Sequence, residues 1–182
     1  LVSTDNGDNW EPLGINIPDG TSVKNIAFKD SEIFIILTEL GVYRSSDNGN
    51  SWVEVNNGIE YYNEINKIVT VNDKIFVCSN YYAGCYMSSD NGENWSPYFI
   101  NNQKVSSFSF IIENGSDVFA GLNGLYISTD NCNSWTALNS GLSNTYINHI
   151  SIFDSNIFAG TTNGVFKSTD KGVNWFGFYG NI

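Results

Sequence analysis

One polar octapeptide occurs five times in this chain, and each copy ends in a tryptophan. The copies read STDNGDNW, SSDNGNSW, SSDNGENW, STDNCNSW and STDKGVNW. Their opening serines follow one another at steps of 42, 43, 40 and 40 residues, and together the copies contain all five tryptophans of the chain. A fixed period near 40 residues indicates a propeller or an array of small supersecondary units.

The residues between the octapeptides predict four short strands in each period. In the last period these are YINHISIFD, NIFAGT, GVFKSTD and WFGFYG, and the three earlier periods repeat the scheme. The runs are rich in Ile, Val, Phe, Tyr and Thr and are bounded by turn-forming residues. Four antiparallel strands in a unit of about 40 residues are typical of a propeller blade. We therefore expect an all-β fold, a β-propeller of four-stranded antiparallel blades.

Counting the strands predicts about four and a half blades in this chain. We expect a half blade at residues 1–16 and full blades at residues 17–57, 58–101, 102–141 and 142–182. The last blade has its own fourth strand, so the half blade does not complete it. We interpret the chain as an arc of a larger ring of about six to eight blades. The alternative is a closed ring of five blades with a degenerate first blade.

The octapeptide falls at the hairpin that joins the third and fourth strands of each blade. Asp at its third position can accept hydrogen bonds from turn amides, and Asn-Gly tolerates positive φ at the tip. The Trp ring can fold back between the strands or against the next blade. Because Cys132 replaces Gly in the fourth copy, we expect that turn to adopt a different type. The residues assigned this structural role are Ser3, Asp5, Gly7, Trp10, Ser45, Asp47, Gly49, Trp52, Ser88, Asp90, Gly92, Trp95, Ser128, Asp130, Trp135, Ser168, Asp170, Gly172 and Trp175.

These residues resemble the Asp-box, also called the bacterial neuraminidase repeat or BNR repeat, with the pattern Ser/Thr-x-Asp-x-Gly-x-x-Trp/Phe. The resemblance covers the whole chain and implies a β-propeller of the sialidase-like superfamily. Similar proteins include sialidases, endoglucanases that cut xyloglucan, sorting receptors, photosystem assembly factors and many secreted bacterial proteins. Their boxes lie on the outer edge of the propeller, away from the active site. The resemblance also implies a secreted or cell-surface location, extracellular or periplasmic.

The charge of the chain disfavours several classes of partner. Its formal net charge is −11, with nineteen acidic and eight basic residues, and such a field repels phosphate backbones and anionic lipid. The sequence contains no apolar run long enough to span a membrane and no Gly-rich loop before a helix. Its single histidine, His149, falls in a predicted strand. We expect no nucleic-acid binding, no membrane insertion, no cofactor and no metal site.

The charged residues also favour a non-catalytic protein. Sialidase-like enzymes clamp a sugar carboxylate with three arginines, whereas this chain has only Arg44, which we interpret as a surface strand residue. A glycosidase needs two carboxylates. Four acids are predicted on the face opposite the octapeptides, where a propeller usually carries its function. These are Asp19, Glu39, Glu60 and Glu64. The alternative is therefore that the chain is part of a propeller-type glycoside hydrolase, one that resembles a xyloglucanase rather than a sialidase.

Three cysteines bear on the compartment. Cys78 ends the second strand of its blade and Cys85 begins the third, so the hairpin folds them toward one another. The two residues can form a disulfide if the chain is in an oxidising compartment. We favour the alternative of two small buried thiols. Cys132 belongs to an octapeptide turn.

An aromatic patch is the candidate ligand-binding site. Tyr61 and Tyr62 lie in the loop that enters one blade, and Tyr81 and Tyr82 lie in the loop between the second and third strands of that blade. Propeller topology puts both loops on one face, and tyrosine suits sugar rings or a protein partner. Tyrosines that pack within their own loops are the alternative. The polar residues assigned to the same site are Glu60, Asn63 and Asn80.

These observations predict a non-catalytic, secreted or cell-surface propeller module that binds a protein or a glycan through its loop face. Further blades of the same protein, or a partner chain that closes the ring, are also expected. A second alternative is an assembly factor of the photosystem-stability type, which the lack of a basic patch disfavours.

Overall fold

A computed structural model of the chain describes residues 3, 5–10, 17–18, 20–79, 83–143 and 146–178. Within these ranges the chain consists of strands, turns and a short 3₁₀ helix at Tyr62–Glu64. The described strands form four four-stranded antiparallel sheets and one two-stranded ladder. In each four-stranded sheet the spatial order of the strands is their order along the chain. This arrangement confirms the predicted all-β fold of four-stranded antiparallel blades.

The chain divides into two compact units, Leu1–Tyr98 and Phe99–Ile182. The first unit contains the first and second blades. The strands of the first blade are β1 (Val23–Lys29), β2 (Glu32–Leu37), β3 (Gly41–Ser45) and β4 (Val53–Glu54). Those of the second blade are β5 (Ile65–Val71), β6 (Lys74–Ser79), β7 (Cys85–Ser88) and β8 (Ser96–Pro97).

The second unit contains the two-stranded ladder and the third and fourth blades. The ladder pairs β9 (Phe99–Ile100) with β10 (Gln103–Lys104). The strands of the third blade are β11 (Phe110–Asn114), β12 (Asp117–Leu122), β13 (Gly124–Ser128) and β14 (Thr136–Ala137). Those of the fourth blade are β15 (Ile147–Phe153), β16 (Asn156–Thr161), β17 (Gly164–Ser168) and β18 (Phe176–Phe178).

The strand at the start of the third blade is shorter than predicted. The run KVSSFSFIIE suggested a strand from Lys104, but β11 begins at Phe110 and residues 105–108 form no strand. Asn101 and Asn102 both have positive φ, 51° and 63°, and make a tight turn that pairs Lys104 with Phe99 instead. Two adjacent residues with positive φ are what a two-residue hairpin turn requires, and Asn tolerates that conformation. Ser109, directly before β11, already donates its amide to the carbonyl of Gly121 in β12 over 2.8 Å.

The hydrophobic core of each unit lies between its two blades. In the first unit, Phe34 and Ile36 of the first blade cluster with Ile68, Val77 and Tyr86 of the second. Alternate residues of a strand point to opposite faces of the sheet, so one set of apolar residues from each blade can pack against the other blade of the unit. The core of the second unit is built in the same way from Phe110, Phe119, Leu125, Leu138, Ile147, Ile150, Ile157, Ala159, Phe166 and Trp175.

Candidate functional site

Each octapeptide is held by hydrogen bonds within itself. In the third copy, Ser88 Oγ donates to Asp90 Oδ1 over 2.8 Å and accepts from the Gly92 amide over 2.9 Å. The Asp90 carboxylate also accepts from the amide and the side chain of Asn94, over 2.9 and 2.8 Å. The same pattern recurs in the copies that begin at Ser3, Ser45, Ser128 and Ser168. The carboxylates are therefore engaged in the turns.

The hydrogen bonds lower the pKa of these carboxylates. The Ser51 side chain, then the Ser51 amide, lower the pKa of Asp47 from 3.8 to about 2. Hydrogen bonds from Ser134 have the same effect on Asp130, and those from Asn9 lower the pKa of Asp5 to about 2. Hydrogen bonds from several donors stabilise a carboxylate in its charged form, which lowers its pKa. The octapeptide aspartates are thus poor general acids and good turn acceptors.

The expectation of a different turn at Cys132 is wrong. Asn131 has φ of 57° where Asn48 of the second copy has 58°, and Cys132 has φ of 62° where Gly49 has 84°, so both positions keep a positive φ. The Cys132 amide still donates to Ser128 Oγ over 2.9 Å, as the glycine amides do. The thiol side chain is buried. The hydrogen bonds and the burial of the side chain thus hold a non-glycine residue in the left-handed region.

Two of the tryptophans, Trp95 and Trp175, join their blade to the blade before it. Trp95 Nε1 donates to the Val55 carbonyl over 2.7 Å, and the Trp95 amide donates to the Asn57 carbonyl over 2.9 Å. Trp175 repeats both bonds in the second unit, to Leu138 and Ser140, over 2.9 and 3.0 Å. The ring therefore packs on the exit of the preceding blade rather than on the following blade.

The residues beside this tryptophan, at the exit of the preceding blade, were not predicted from the sequence. Asn56 follows β4, and its side chain accepts from the Val42 amide and donates to the Leu40 carbonyl, both over 2.8 Å. Gly58 has φ of 97°, and a Cβ there would overlap the Trp95 carbonyl oxygen. Asn139 and Gly141 repeat the arrangement in the second unit. The repeated Asn-x-Gly after the fourth strand, NNG and NSG, was the available signal.

Arg44 is not the surface residue that was expected. Its side chain is 19% exposed, and its guanidinium lies 2.7 Å from Glu93 Oε1. It also donates to the Asn91 carbonyl over 2.8 Å. Glu93 and Asn91 belong to the octapeptide of the second blade. Arg44 thus links the first and second blades, and its guanidinium is engaged there rather than presented to a ligand.

The loop that carries Tyr61 and Tyr62 is short and anchored at both ends. Both tyrosines are exposed, and the Glu64 amide donates to the Tyr61 carbonyl over 3.0 Å to form the 3₁₀ turn. Ile59 before the turn and Ile65 after it are buried. Glu60 and Asn63, also assigned to the site, are exposed in the same loop. The rings therefore project from a loop that is fixed to the core.

A groove runs along the seam between the first and second blades beside this loop. Its volume is about 570 Å³. The nearby Tyr43 has a raised pKa, chiefly through burial and then through the charges of Glu54 and Tyr62. The lining is both polar and apolar, and it consists of Glu54, Val55, Asn56, Asn57, Ile59, Tyr62 and Glu93. An aromatic ring, amides and two carboxylates can together contact a polar ligand with an apolar face.

Not every candidate residue named from the sequence is placed by the structure. Asn80, Tyr81 and Tyr82 lie outside the described residues, as does Asp19. Glu39 lies in the turn between β2 and β3 with φ of 64°. The predicted pairing of two tyrosine loops is thus described for one loop only.

Cys78 and Cys85 form a disulfide rather than the buried thiols that we favoured. They are cross-strand partners in the ladder of β6 and β7, with Cα atoms 4.1 Å apart. The neighbouring Ser79 amide donates to the Gly84 carbonyl over 3.0 Å. The cysteines therefore occupy the close, non-hydrogen-bonded type of antiparallel pair. The bridge joins the end of β6 to the start of β7.

The described residues contain neither a metal-binding cluster nor a membrane-spanning helix. In that part of the chain, no three His, Cys, Asp or Glu side chains gather as a metal site would require. Within the same ranges, no helix has the length and apolarity needed to cross a membrane.

The blades and the seams between them define this chain as a β-propeller protein. A family model described as the DUF6242 beta propeller domain matches residues 1–106, which is more than half of the chain. The chain belongs to that family. No curated protein sequence matches it significantly.

Solved structures share the fold at low sequence identity. An ancestral GH74 enzyme is 21% identical with a TM-score of 0.61, over 95% of this chain and 26% of that one. YCF48 bound to D1 peptide is 16% identical with a TM-score of 0.65, over 94% and 58%. The extracellular domain of a putative one-component system from B. thetaiotaomicron is 17% identical with a TM-score of 0.65, over 90% and 22%. This chain thus spans about a quarter of the GH74 enzyme and somewhat more than half of YCF48.

Proposed function

We propose that this chain is a non-catalytic β-propeller module that binds a protein or a glycan through the loop of Tyr61 and Tyr62 and the adjoining groove. The observation that carries the proposal is the exposure of both rings on a loop whose flanking residues, Ile59 and Ile65, are buried. Binding through a fixed loop costs less ordering entropy than binding through a mobile one. Tyrosine adds a large apolar face with a polar tip.

The polar lining of the groove supports the choice of a polar ligand. Glu54, Asn57 and Glu93 line the groove together with Tyr62. A sugar would stack on that ring and hydrogen-bond to the amide and carboxylate groups. A protein partner would instead bury the two tyrosines as anchors, as aromatic side chains at interface centres do.

The octapeptides of this module are Asp-boxes under the same proposal. The Ser–Asp–amide hydrogen bonds explain why the pattern fixes serine, aspartate and a small fifth residue. The Trp95 bond to Val55 explains the terminal aromatic residue. The serine, aspartate and tryptophan of each box then stabilise the blades and take no part in ligand binding, whereas Glu93, another residue of the third box, lines the groove.

We also propose a secreted or cell-surface location. The Cys78–Cys85 disulfide suits an oxidising compartment. Two similar structures are described as an extracellular domain and as a bacterial surface component of a secretion system.

Two alternatives have support of their own. The GH74 enzymes of similar fold favour part of a glycoside hydrolase, and a xyloglucanase is among them. In that case Glu60 and Glu64, in the tyrosine loop, are the first carboxylates to replace. YCF48 bound to D1 peptide favours an assembly factor that binds a peptide.

A glycan array probed with the wild-type chain, Tyr62→Ala and Tyr146→Ala tests the proposal. Tyr146 is also exposed but lies in the second unit, so its replacement is the matched control. We expect wild type and Tyr146→Ala to bind one glycan class and Tyr62→Ala to lose it. A silent array, with retention of one purified protein that Tyr62→Ala fails to retain, supports the protein arm. Release of sugar from the array favours the hydrolase. No binding in either format contradicts the proposal.

A further inference from the structure

The groove between the first and second blades carries carboxylates that the matching seam of the second unit lacks. Both seams share one framework, in which a tryptophan indole donates to the end of the preceding blade. By position in the repeat, Glu54 of the groove lining corresponds to Ala137, and Glu93 corresponds to Val173. Two blades of this chain therefore pack on one another without either carboxylate.

Only one of the two carboxylates is explained by contacts within the chain. Glu93 lies 2.7 Å from the guanidinium of Arg44, and apolar residues occupy both equivalent positions in the second unit. In the part of the chain that the structure describes, no hydrogen bond or ion pair engages the side chain of Glu54, which is exposed. Packing of the blades thus gives no reason for a charge at Glu54.

The surroundings of the groove stay negative after the neighbouring cations are counted. Arg44 lies 2.7 Å from Glu93 and 3.9 Å from Glu32, so one guanidinium faces two carboxylates. Lys29, which contacts the third octapeptide, is paired with the aspartate next to it over 3.2 Å. Glu54 adds a further negative charge, and none of the residues that line the groove is Lys or Arg. A concave surface with this balance attracts a cation.

Tyr62 places an aromatic ring in the same groove. Its side chain is 42% exposed, and its loop is held by the buried Ile59 and Ile65. A guanidinium group stacks on a tyrosine ring and can also pair with a carboxylate through two parallel hydrogen bonds. The compact ammonium group of lysine cannot form that fork. An acidic sugar would be repelled, and a neutral sugar would gain hydrogen bonds but no charge attraction.

We propose that this groove binds an arginine side chain of a protein partner. The assignment rests on the proposed function, because it names the ligand of the same groove. The guanidinium of the partner stacks on Tyr62 and pairs with Glu54. Glu93 is 60% exposed beside Arg44 and adds to the attraction. Because these groups are exposed to solvent, salt weakens the binding.

An NMR titration with two short peptides tests the proposal. One is Gly-Ser-Arg-Ser-Gly, acetylated and amidated so that the guanidinium is its only charge, and the other has citrulline, a neutral analogue of similar shape, in place of the arginine. We expect the arginine peptide to shift the amide signals of the tyrosine loop and to bind about tenfold or more tightly than the citrulline peptide. Glu54→Gln and Tyr62→Ala should each weaken the binding of the arginine peptide severalfold.

Glu113→Gln is the matched control, because it removes the same charge from an exposed position of β11 in the second unit. It should bind the arginine peptide as wild type does, and circular dichroism checks that each variant keeps its fold. Equal binding of the two peptides, or no binding of the arginine peptide, overturns the proposal. An equal loss in Glu54→Gln and Glu113→Gln also overturns it, because the peptide would then respond only to the overall charge of the chain.

The proposed function is tested separately from this assignment. A glycan signal that Tyr62→Ala abolishes, with no response of the wild-type chain to the arginine peptide, overturns the arginine assignment and supports the proposed function. Binding of the arginine peptide that both Glu54→Gln and Tyr62→Ala weaken supports the two together.

Discussion

Trp95 Nε1 donates a hydrogen bond to the carbonyl of Val55, forty residues earlier in the chain, over 2.7 Å. This separation is close to the repeat length, so equivalent residues of successive repeats can form the same bond. Trp175 forms it with the carbonyl of Leu138. A buried indole N–H needs an acceptor, and the exit of the preceding fourth strand supplies it. The octapeptide thus fixes its own hairpin and also fixes one blade to another.

Replacement of the third octapeptide aspartate should destabilise the fold. Asp90→Ala leaves the Asn94 amide and the Ser88 hydroxyl without their acceptor. We expect a loss of about 1–3 kcal/mol in the free energy of unfolding, measured with urea. Asp90→Asn retains an acceptor oxygen and should lose less. Equal stability of wild type and Asp90→Ala would show that the hydrogen bonds of this turn contribute nothing.

A methyl group at Gly58 should disrupt the seam between the first two blades. Gly58 has φ of 97°, and its Cβ position is occupied by the Trp95 carbonyl. Gly58→Ala should cost about 1 kcal/mol for the backbone conformation and about 1–3 kcal/mol more for the forced shift. Gly115→Ala is the control, because Gly115 also has positive φ, 65°, but has open space around it. If thermal unfolding shows equal losses in both variants, the contact with Trp95 is unimportant.

Acid should weaken the octapeptide turns within a defined pH window. Hydrogen bonds from Ser51 lower the pKa of Asp47 from 3.8 to about 2 in the folded chain, so the unfolded chain takes up a proton first on acidification. The stabilisation is present above the unfolded pKa and is lost as the pH falls from about 4 to about 2. Asp47→Asn should show a shallower fall in unfolding free energy than wild type over this range. Parallel curves for the two proteins would contradict the lowered pKa.

Reduction should destabilise the second blade through its disulfide. Cys78 and Cys85 are separated by 7 residues, and closing so short a loop is worth about 2 kcal/mol. The urea midpoint of wild type should fall in dithiothreitol. The double variant Cys78→Ala, Cys85→Ala should not respond to the reductant. A comparable response in the double variant would show that the effect does not come from this disulfide.

The sequence predicted the repeated elements well because each blade depends on local patterns. Alternating apolar residues and the octapeptide turns located β2, β3 and the hairpin tips, since both signals lie within a few residues. The fourth strands are shorter than their sequence runs suggest: β4 is Val53–Glu54. The outer strand of a blade pairs on one edge only, and the apolar residues that follow β4, Val55 and Ile59, cluster with residues of the next blade.

Contacts between blades were harder to predict, because they join residues about a repeat apart. The role of Arg44 depends on Glu93, which no local pattern pairs with it. The turn at Cys132 was mispredicted because the preference for glycine was weighed without the Ser128 hydrogen bond and the burial of the thiol. For the candidate site, the adjacent tyrosines indicated the loop at Tyr61 and Tyr62. The groove was not predicted, because its lining also includes Glu93, which comes from the octapeptide of the second blade.

The central claim is that the octapeptides stabilise the blades while the tyrosine loop binds the ligand. Measuring both unfolding free energy and affinity for the bound glycan or protein in Asp90→Ala and Tyr62→Ala tests it most directly. The account predicts that Asp90→Ala loses stability and, once corrected for its folded fraction, keeps its affinity, whereas Tyr62→Ala keeps its stability and loses affinity. An Asp90→Ala variant that stays fully stable and loses binding would contradict it.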